Sequence, residues 1–216
     1  MMESINQIQM IAVAMLPVLF AITLHEVAHG WVASRLGDQT AAMLGRLTIN
    51  PLRHIDPVGT VLVPIATSLI GGFLFGWAKP VPVDMRNLRQ PRRDMALVAL
   101  AGPAANLLMA TLWGLVAKLG LAMSSGFGSV AVFLQLAGEI GILINVLLMV
   151  LNLVPILPLD GGRVLYALLP ADWARRFGRT EPYGLIILVV LLLSGVLGQV
   201  LWPVVNAFRG ILLGGG

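Results

Sequence analysis

The chain has 216 residues, of which 58% are hydrophobic and 11% charged, and its formal net charge at pH 7 is +4. An ordinary soluble domain carries about 25% charged residues, so this composition favours an integral membrane protein over a soluble helical protein or a nucleic-acid-binding domain. Cysteine is absent, which excludes disulfides and thiolate metal sites and leaves His, Asp, Glu or Asn as possible metal ligands.

Five long apolar segments predict an all-α polytopic membrane protein with about four to six transmembrane helices, forming a single domain over residues 1–216. A bilayer core needs about 20 apolar residues for each spanning helix, and four of the five segments meet that length without an obvious break. In chain order the segments are roughly 5–36, 57–77, 95–123, 130–153 and 183–212.

The first segment is predicted to be a retained transmembrane helix, because no basic residue precedes it as one would in a signal peptide. Charge then predicts the orientation, since short loops rich in Lys and Arg stay on the cytoplasmic side. The N-terminus and the uncharged loop at 121–129 are expected outside, and the arginine-rich stretch 160–182 inside. The absence of cysteine and the small size favour a multi-pass protein of a prokaryotic cytoplasmic membrane.

The segment 57–77 is predicted to be a re-entrant hairpin rather than a spanning helix. Pro64 and the glycine pair at 71–72 interrupt it. The flanking stretches 35–56 and 78–94 are both rich in Lys and Arg, so both are expected on the cytoplasmic side. A segment between them would have to enter and leave by the same face, which is tolerated only where protein buries it.

Short β-prone stretches flank this segment, "AAMLGRLTIN" at 41–50 and "WAKPVPVDM" at 77–85. They predict a small sheet or hairpin at the membrane face. An exposed β edge at 41–50 or 78–86 is a candidate to hold an unwound substrate by strand addition.

The stretch "TLHEVAHGW", residues 23–31, carries the clearest chemical signal. Helical residues four apart lie on one face, so His25 and His29 of this H-E-x-x-H pattern can hold one zinc ion. Glu26 between them can act as a general base toward water. A structural role is the alternative, but three ionisable groups on one turn of a membrane helix favour a functional site.

A catalytic zinc usually has three protein ligands, and the third is not in the extended metzincin pattern, because positions 32 and 35 are Val and Arg. Three residues elsewhere are candidates: His54, Glu139 and Asp160. His54 would reach the site only if its cytoplasmic loop folded inward. Glu139 lies in the outer third of its segment, whereas the two histidines lie about 10 to 16 Å from the cytoplasmic end of theirs.

Asp160 is the preferred third ligand. It follows Pro155 and Pro158, which break the fourth segment just before the cytoplasmic face. A carboxylate on this break lies near the predicted level of the histidines, although an Asp N-cap in an ordinary turn is the alternative interpretation. Gly161 and Gly162 are expected to let this backbone pass close to the histidine-bearing helix.

The motifs HEVAHG and NLVPILPLDGGR together resemble those of the site-2 protease family of intramembrane zinc metalloproteases. AGPAANL at 101–107 resembles a third element of the family, and GRLTINPLRHIDPVGT resembles a stretch found in its compact prokaryotic branch. The resemblance spans about residues 20–170. It implies that His25, His29 and Asp160 bind one zinc ion per chain. It also implies that Glu26 is the catalytic acid/base.

The resemblance further implies a substrate-binding or oxyanion role for Asn152 and, less directly, for Asn106. The alternative for Asn152 is to bond carbonyl groups freed by Pro155. Small-residue helix packing is the alternative for the motif around Asn106. A chain of this length leaves no room for a PDZ or CBS module, so substrate gating is expected from the membrane core, such as the hairpin at 57–77.

The implied function is hydrolysis of peptide bonds in transmembrane segments of membrane-protein substrates, near the cytoplasmic half of the bilayer. The expected partners are such a substrate and the lipid bilayer, not nucleic acid. A metal transporter or sensor using the same three ligands is the alternative. Transporters usually arrange polar groups along a path between two related halves, whereas here the polar groups cluster toward one face.

Overall fold

Eight α-helices account for most of residues 7–63 and 79–214, the part of the chain that the computed structural model describes. Their bounds are α1 Gln7–Arg35, α2 Thr40–Met43, α3 Pro91–Ala122, α4 Gly128–Asn152, α5 Asp160–Leu168, α6 Ala171–Gly178, α7 Gly184–Leu193 and α8 Val196–Leu213. Shorter 3₁₀ turns lie at Pro51–Arg53, Met85–Asn87 and Glu181–Tyr183, and a π-helical turn lies at Pro57–Leu62.

Four of these helices are long and apolar enough to cross a membrane. They are Gln9–Arg35 within α1, all of α3, all of α4, and α8. Their most apolar windows have a mean hydropathy between 1.5 and 2.1, and the outward faces carry exposed leucines suited to lipid, such as Leu108 and Leu115 of α3. The prediction of an all-α polytopic membrane protein is confirmed.

The helices α3 and α4 form an extended interface through small residues. A Cβ at Gly120 of α3 would lie 2.5 Å from the backbone nitrogen of Gln135, and a Cβ at Gly138 of α4 would lie 2.5 Å from that of Ala117. Glycine at both positions therefore allows the two backbones to approach closely, as is common between membrane helices. The helix α1 packs against both α3 and α4, so these three spanning helices form the central group of the bundle.

The last apolar segment differs from its prediction as a single span over 183–212. It is divided by Gly195, whose φ of +77° is left-handed, into the short helix α7 and the longer α8. Leu188 of α7 and Leu201 of α8 belong to one buried cluster, although a continuous helix would separate them by about 20 Å. The two helices therefore fold back on each other, and only α8 is long enough to span.

The predicted hairpin at 57–77 lies largely outside the described residues. Only its beginning is described, as the π-helical turn Pro57–Leu62. The side chain of Asp56 caps this turn by accepting hydrogen bonds from the backbone N–H groups of Val58 and Gly59, at 2.9 and 2.7 Å. The re-entrant path of the rest stays a prediction.

The prediction of a small sheet at the membrane face is wrong for the described residues, which contain no β-strand. The stretch 40–43 is helical, and 79–84 forms neither helix nor strand, although its two X-Pro pairs favour extended backbone. The N–H of Lys79 donates to the backbone carbonyl of His54 at 2.9 Å, whereas those of Val81 and Asp84 donate to the side chains of Glu26 and Asp38, each at 2.7 Å. These carboxylates take the place that a neighbouring strand would otherwise fill.

Candidate metal centre

His25, His29 and Asp160 meet in the interior of the protein, each no more than 8% exposed. The histidines lie one turn apart on α1, with their Nε2 atoms 3.1 Å from each other. Asp160 is the first residue of α5, and its Oδ2 lies 3.4 Å from the Nε2 atom of each histidine. The structure therefore brings together the three side chains predicted as ligands, with possible ligand atoms within 4.8 Å of one another.

The hydrogen-bond partner of Nδ1 shows which ring nitrogen of His29 carries the hydrogen. Nδ1 lies 2.7 Å from the carbonyl oxygen of Val98, and a carbonyl can only accept, so Nδ1 carries the hydrogen. In the neutral ring, Nε2 then presents a lone pair toward Asp160. The Nδ1 atom of His25 is likewise occupied, at 2.6 Å from Oδ1 of Asn106.

This arrangement fits a zinc ion. In the part of the chain that the structure describes, Oδ2 of Asp160 is buried without a hydrogen-bond partner. Electron-rich atoms facing each other at this distance repel unless a cation lies among them. Two imidazole nitrogens and one carboxylate oxygen form a donor set that zinc accepts while keeping a fourth position open. Outer hydrogen bonds on both histidines are typical of metal-binding imidazoles.

One face of α3 shapes the histidine pair. Val98, Gly102 and Asn106 recur every four residues and so lie on the same side of the helix. The first and last bond the histidines, and Gly102 between them makes room: a Cβ there would collide with Nε2 of His29 and lie 2.5 Å from Cε1 of His25.

The glycines after Asp160 have a different role from the one predicted. A Cβ at Gly161 would collide with the carbonyl oxygen of Leu153, and one at Gly162 would lie 2.5 Å from the backbone nitrogen of Leu157. These glycines let the broken segment 153–159 fold back onto the start of α5, rather than onto α1. The glycine that allows close approach to the histidines is Gly102.

The far end of α5 is held by Arg92 of α3. Its Nη2 donates to the carbonyl oxygens of Ala167 at 3.2 Å and Tyr166 at 3.3 Å, and to that of Leu169. Carbonyls at a helix C-terminus lack intrahelical partners, and a guanidinium there also complements the helix dipole. Arg92 therefore anchors the helix whose first residue is Asp160.

Glu26 lies on α1 beside the histidines and is held by the extended segment 79–84. Its Oε2 accepts a 2.7 Å hydrogen bond from the backbone N–H of Val81. Gly30 allows this approach, because a Cβ there would lie 2.7 Å from Cγ1 of Val81. The carboxylate is partly buried and has Oε1 available for proton transfer.

The same extended segment is fixed a second time by Asp38, which is fully buried just beyond the end of α1. Its carboxylate accepts from the N–H of Thr40 at 3.0 Å, the N–H of Asp84 at 2.7 Å and the amide of Asn87 at 3.1 Å. Burial opposes ionisation, but the hydrogen bonds outweigh it and hold the pKa of Asp38 below its ordinary value. Asp38 thus stays ionised and ties 79–87 to α1.

The two asparagines predicted to act on the substrate occupy different positions. Asn106 is fully buried and bonds His25, the Ala21 carbonyl oxygen at 3.2 Å and Asn145 at 2.9 Å. Asn152 is partly exposed, and its Nδ2 donates to the carbonyl oxygen of Leu148 at 2.9 Å within its own helix. Asn106 thus contacts a predicted ligand, whereas the substrate role of Asn152 stays a prediction.

The other two candidate ligands lie outside the cluster. The Nε2 atom of His54 lies 2.9 Å from the Thr48 carbonyl oxygen, which it can only reach as a donor. Glu139 accepts from the side chain of Gln135 at 3.2 Å and lies 3.5 Å from Arg209 of α8.

Sequence reasoning missed the residues that act through backbone groups or at a distance. The N–H of Val81 and the carbonyl of Val98 have no side-chain signature. Asn145 lies in a largely apolar helix and belongs to none of the recognised motifs. A buried asparagine in a spanning helix was nevertheless a signal, since such polar groups are rare there.

Comparisons with known proteins agree with this geometry. The family model described as "Peptidase family M50" matches residues 123–195, which include Asn152 and Asp160. "Putative zinc metalloprotease YwhC" of Bacillus subtilis is 39% identical over 199 residues, covering 90% of this chain and 86% of the relative.

Two mycobacterial proteins are similar over nearly the same extent. "Putative zinc metalloprotease Rip2" of Mycolicibacterium smegmatis is 33% identical over 88% of this chain and 70% of its own length. The protein of the same name in Mycobacterium tuberculosis is 32% identical over 85% of this chain and 70% of its own length. No solved structure matches the chain.

Proposed function

Because the chain belongs to peptidase family M50, the site-2 protease family, we propose that this zinc metalloprotease hydrolyses peptide bonds in the transmembrane segments of membrane proteins. The observation that carries the proposal is the buried group of His25, His29 and Asp160 with Glu26 on the same helix turn. Regulated intramembrane proteolysis or clearance of membrane peptides are the processes that such an activity would serve.

The depth of the cluster supports a substrate within the bilayer. His25 and His29 lie ten and six residues before Arg35, where the first spanning helix ends, which corresponds to about 15 and 9 Å along the axis. The arginines near that end favour the cytoplasmic side. The active site is therefore proposed to lie in the cytoplasmic half of the membrane.

The residues of this chain divide the work of hydrolysis. When bound by His25, His29 and Asp160, zinc supplies Lewis-acid chemistry, making water more acidic and polarising the scissile carbonyl. Glu26, with Oε2 held by Val81, takes a proton from the attacking water at Oε1 and passes it to the nitrogen of the leaving amine. The water oxygen first bonds to the carbonyl carbon, and the C–N bond then breaks as the amine nitrogen receives the proton from Glu26.

Two further elements are proposed to act on the substrate. Asn152 uses one amide hydrogen for the Leu148 carbonyl and has a second that could stabilise the oxyanion. A substrate helix must unwind before its amide can be attacked, because a helix engages its own backbone groups. Beside Glu26, the N–H of Val83 and the carbonyl groups of residues 81–83 have no hydrogen-bond partner among the described residues, and they are the proposed pairing surface for the unwound chain.

The test combines metal content with cleavage. The full chain is purified in detergent as wild type, Asp160→Ala and Glu26→Gln, its zinc content is measured, and each is reconstituted with a panel of transmembrane substrates. We expect about one zinc per wild-type chain, loss of most zinc in Asp160→Ala, and retained zinc without cleavage in Glu26→Gln.

Each part can fail separately. Full zinc occupancy in Asp160→Ala would place the third ligand elsewhere. Cleavage by Glu26→Gln at the wild-type rate would remove Glu26 from the mechanism. Zinc flux across proteoliposomes without cleavage of any substrate would favour the transporter alternative.

A further inference from the structure

A line of buried amides connects the metal centre to α4. Asn106 and Asn145 are both 0% exposed. Asn145 donates from Nδ2 to the Gly141 carbonyl oxygen at 2.8 Å, and its Oδ1 accepts from Nδ2 of Asn106 at 2.9 Å. Oδ1 of Asn106 lies 2.6 Å from Nδ1 of His25. The line crosses three spanning helices, from α4 through α3 to α1.

The direction of every hydrogen bond in this line follows from its far end. A backbone carbonyl can only accept, so Gly141 requires the NH₂ group of Asn145 on its side and places Oδ1 of Asn145 toward Asn106. That oxygen requires the NH₂ group of Asn106, which also donates to the Ala21 carbonyl oxygen at 3.2 Å. Asn106 must therefore present its own oxygen to His25.

We propose that Asn145 is a positioning residue for the metal centre, which acts through Asn106 to hold His25 with its hydrogen on Nδ1. In this tautomer the lone pair of Nε2 points toward Asp160 and is available to zinc. The inference rests on the proposed metal site and adds to it a residue that contacts no metal ligand directly.

The two histidines differ in how they are held, which makes the inference testable. Nδ1 of His29 donates to a backbone carbonyl, that of Val98, and no side-chain substitution removes this acceptor. His25 depends on two side chains in series. Without Asn145, Asn106 keeps only the Ala21 carbonyl as a fixed acceptor for its NH₂ group, so its orientation toward His25 is less restricted.

The experiment measures zinc affinity in the purified full chain by competition with a chelator. Substitution of a residue that hydrogen-bonds the outer nitrogen of a zinc-binding histidine typically lowers zinc affinity 10- to 100-fold. Asn145→Leu is therefore expected to weaken zinc binding about tenfold. Val146→Ala is the matched control, since Val146 is the adjacent residue and is also 0% exposed, yet lies outside the line of amides. It should bind zinc as wild type does.

Two further variants separate positioning from packing. Asn145→Asp keeps the shape and, protonated in this buried site, can donate to Gly141 and accept from Asn106, so it should restore affinity to within about threefold of wild type. The double variant Asn106→Ala/Asn145→Leu should bind no more weakly than Asn106→Ala alone, because both changes break one line. Additive losses, or an Asn145→Leu affinity equal to that of Val146→Ala, would overturn the proposal.

A metal-free readout separates this inference from the proposed function. Side-chain ¹⁵N NMR of His25 in the zinc-free protein reports which ring nitrogen carries the hydrogen. We expect Nδ1–H in wild type and a mixture of tautomers in Asn145→Leu. A mixture already present in wild type would refute the positioning role, even if zinc binding and proteolysis are both found. A single Nδ1–H tautomer in wild type that becomes a mixture in Asn145→Leu would support it, even if no substrate is cleaved.

Discussion

The backbone N–H of Val81 donates a 2.7 Å hydrogen bond to Oε2 of Glu26, a residue 55 positions away along the chain. The bond joins the predicted acid/base on a spanning helix to an extended segment outside the bundle. It fixes one carboxylate oxygen and leaves the other to exchange a proton, so the position of Glu26 depends on a segment that carries no catalytic side chain.

Val81→Pro removes this donor and is expected to lower the cleavage rate about tenfold while leaving zinc content unchanged. The reason is that a hydrogen bond to a charged group contributes about 1.5–3 kcal/mol, and its loss frees the carboxylate to rotate. Rates and zinc content are measured on the same preparations. Pro is compatible with this position because Val81 precedes Pro82, which favours an extended or polyproline II backbone at Val81.

Val81→Ala is the matched control for this substitution. It shortens the side chain at the same position and keeps the backbone N–H that donates to Glu26. Equal losses of activity in the two variants would mean that the Glu26 contact is incidental and that any change at Val81 disturbs the segment.

Gly102→Ala is expected to abolish tight zinc binding. The added Cβ would collide with Nε2 of His29 and lie 2.5 Å from Cε1 of His25, so the rings or α3 would have to move. Gly114→Ala on the same helix is the control, because its Cβ would be 3.2 Å from the nearest atom, in the side chain of Leu212. Zinc content and thermal stability are measured for both; wild-type zinc affinity in Gly102→Ala would contradict the close packing described for this site.

Asp38→Asn tests the clamp that holds 79–87 against α1. The carboxylate accepts several hydrogen bonds, and an amide would place an NH₂ group against donors, so we expect the free energy of unfolding to fall by about 1–3 kcal/mol at neutral pH. Thermal unfolding in detergent measures it. If Asp38→Asn unfolds at the same temperature as wild type, the role assigned to Asp38 is wrong.

The pH dependence of this difference has a definite sign. Because the folded pKa of Asp38 is below its ordinary value, the ionised group stabilises the fold above the unfolded pKa of about 3.9, and this is lost as pH falls through the folded pKa. The gap between wild type and Asp38→Asn should therefore close only below about pH 4. Asp84→Asn is the comparison: Arg86 lowers the pKa of Asp84 to about 2, but Arg86 is exposed and Asp84 is only partly buried, so the loss of this pair should change stability little.

The grouping of the three predicted ligands could be foreseen from the sequence because each is tied to a local rule. The spacing of His25 and His29 follows from the helix period, and Asp160 was singled out by the proline break before it. The depth of the two histidines in the membrane argued against Glu139, whose side chain lies near Arg209 in the structure. Periodicity and chain geometry were sufficient for these residues.

Other features depended mainly on tertiary contacts. The break at Gly195 follows Ser194, and a Ser-Gly pair is a turn signal, but hydrophobicity alone does not distinguish one long helix here from two that fold back. The extended segment 79–84 has β-prone residues, but its N–H groups donate to Glu26 and Asp38 rather than to a strand. Whether these backbone N–H groups bond a carboxylate or a neighbouring strand depends on how the segment packs against α1, and not on the residues of the segment itself.

Arg92→Met tests whether the far end of α5 controls the position of Asp160. The guanidinium donates to the last carbonyls of this nine-residue helix, and its removal leaves them without those hydrogen bonds while the apolar stem is kept. Because Asp160 is at the opposite end of the same short helix, a shift of the helix displaces its carboxylate. We expect zinc affinity to fall about tenfold, at the lower end of the range for outer contacts of a metal site, with less loss than in Asp160→Ala.

Arg93→Met is the control. It removes a neighbouring charge whose side chain, among the described residues, bonds only Gln90, at 3.3 Å, and it should bind zinc as wild type does. If both variants lose affinity equally, the effect comes from the positive charge of this surface and not from the anchoring of α5.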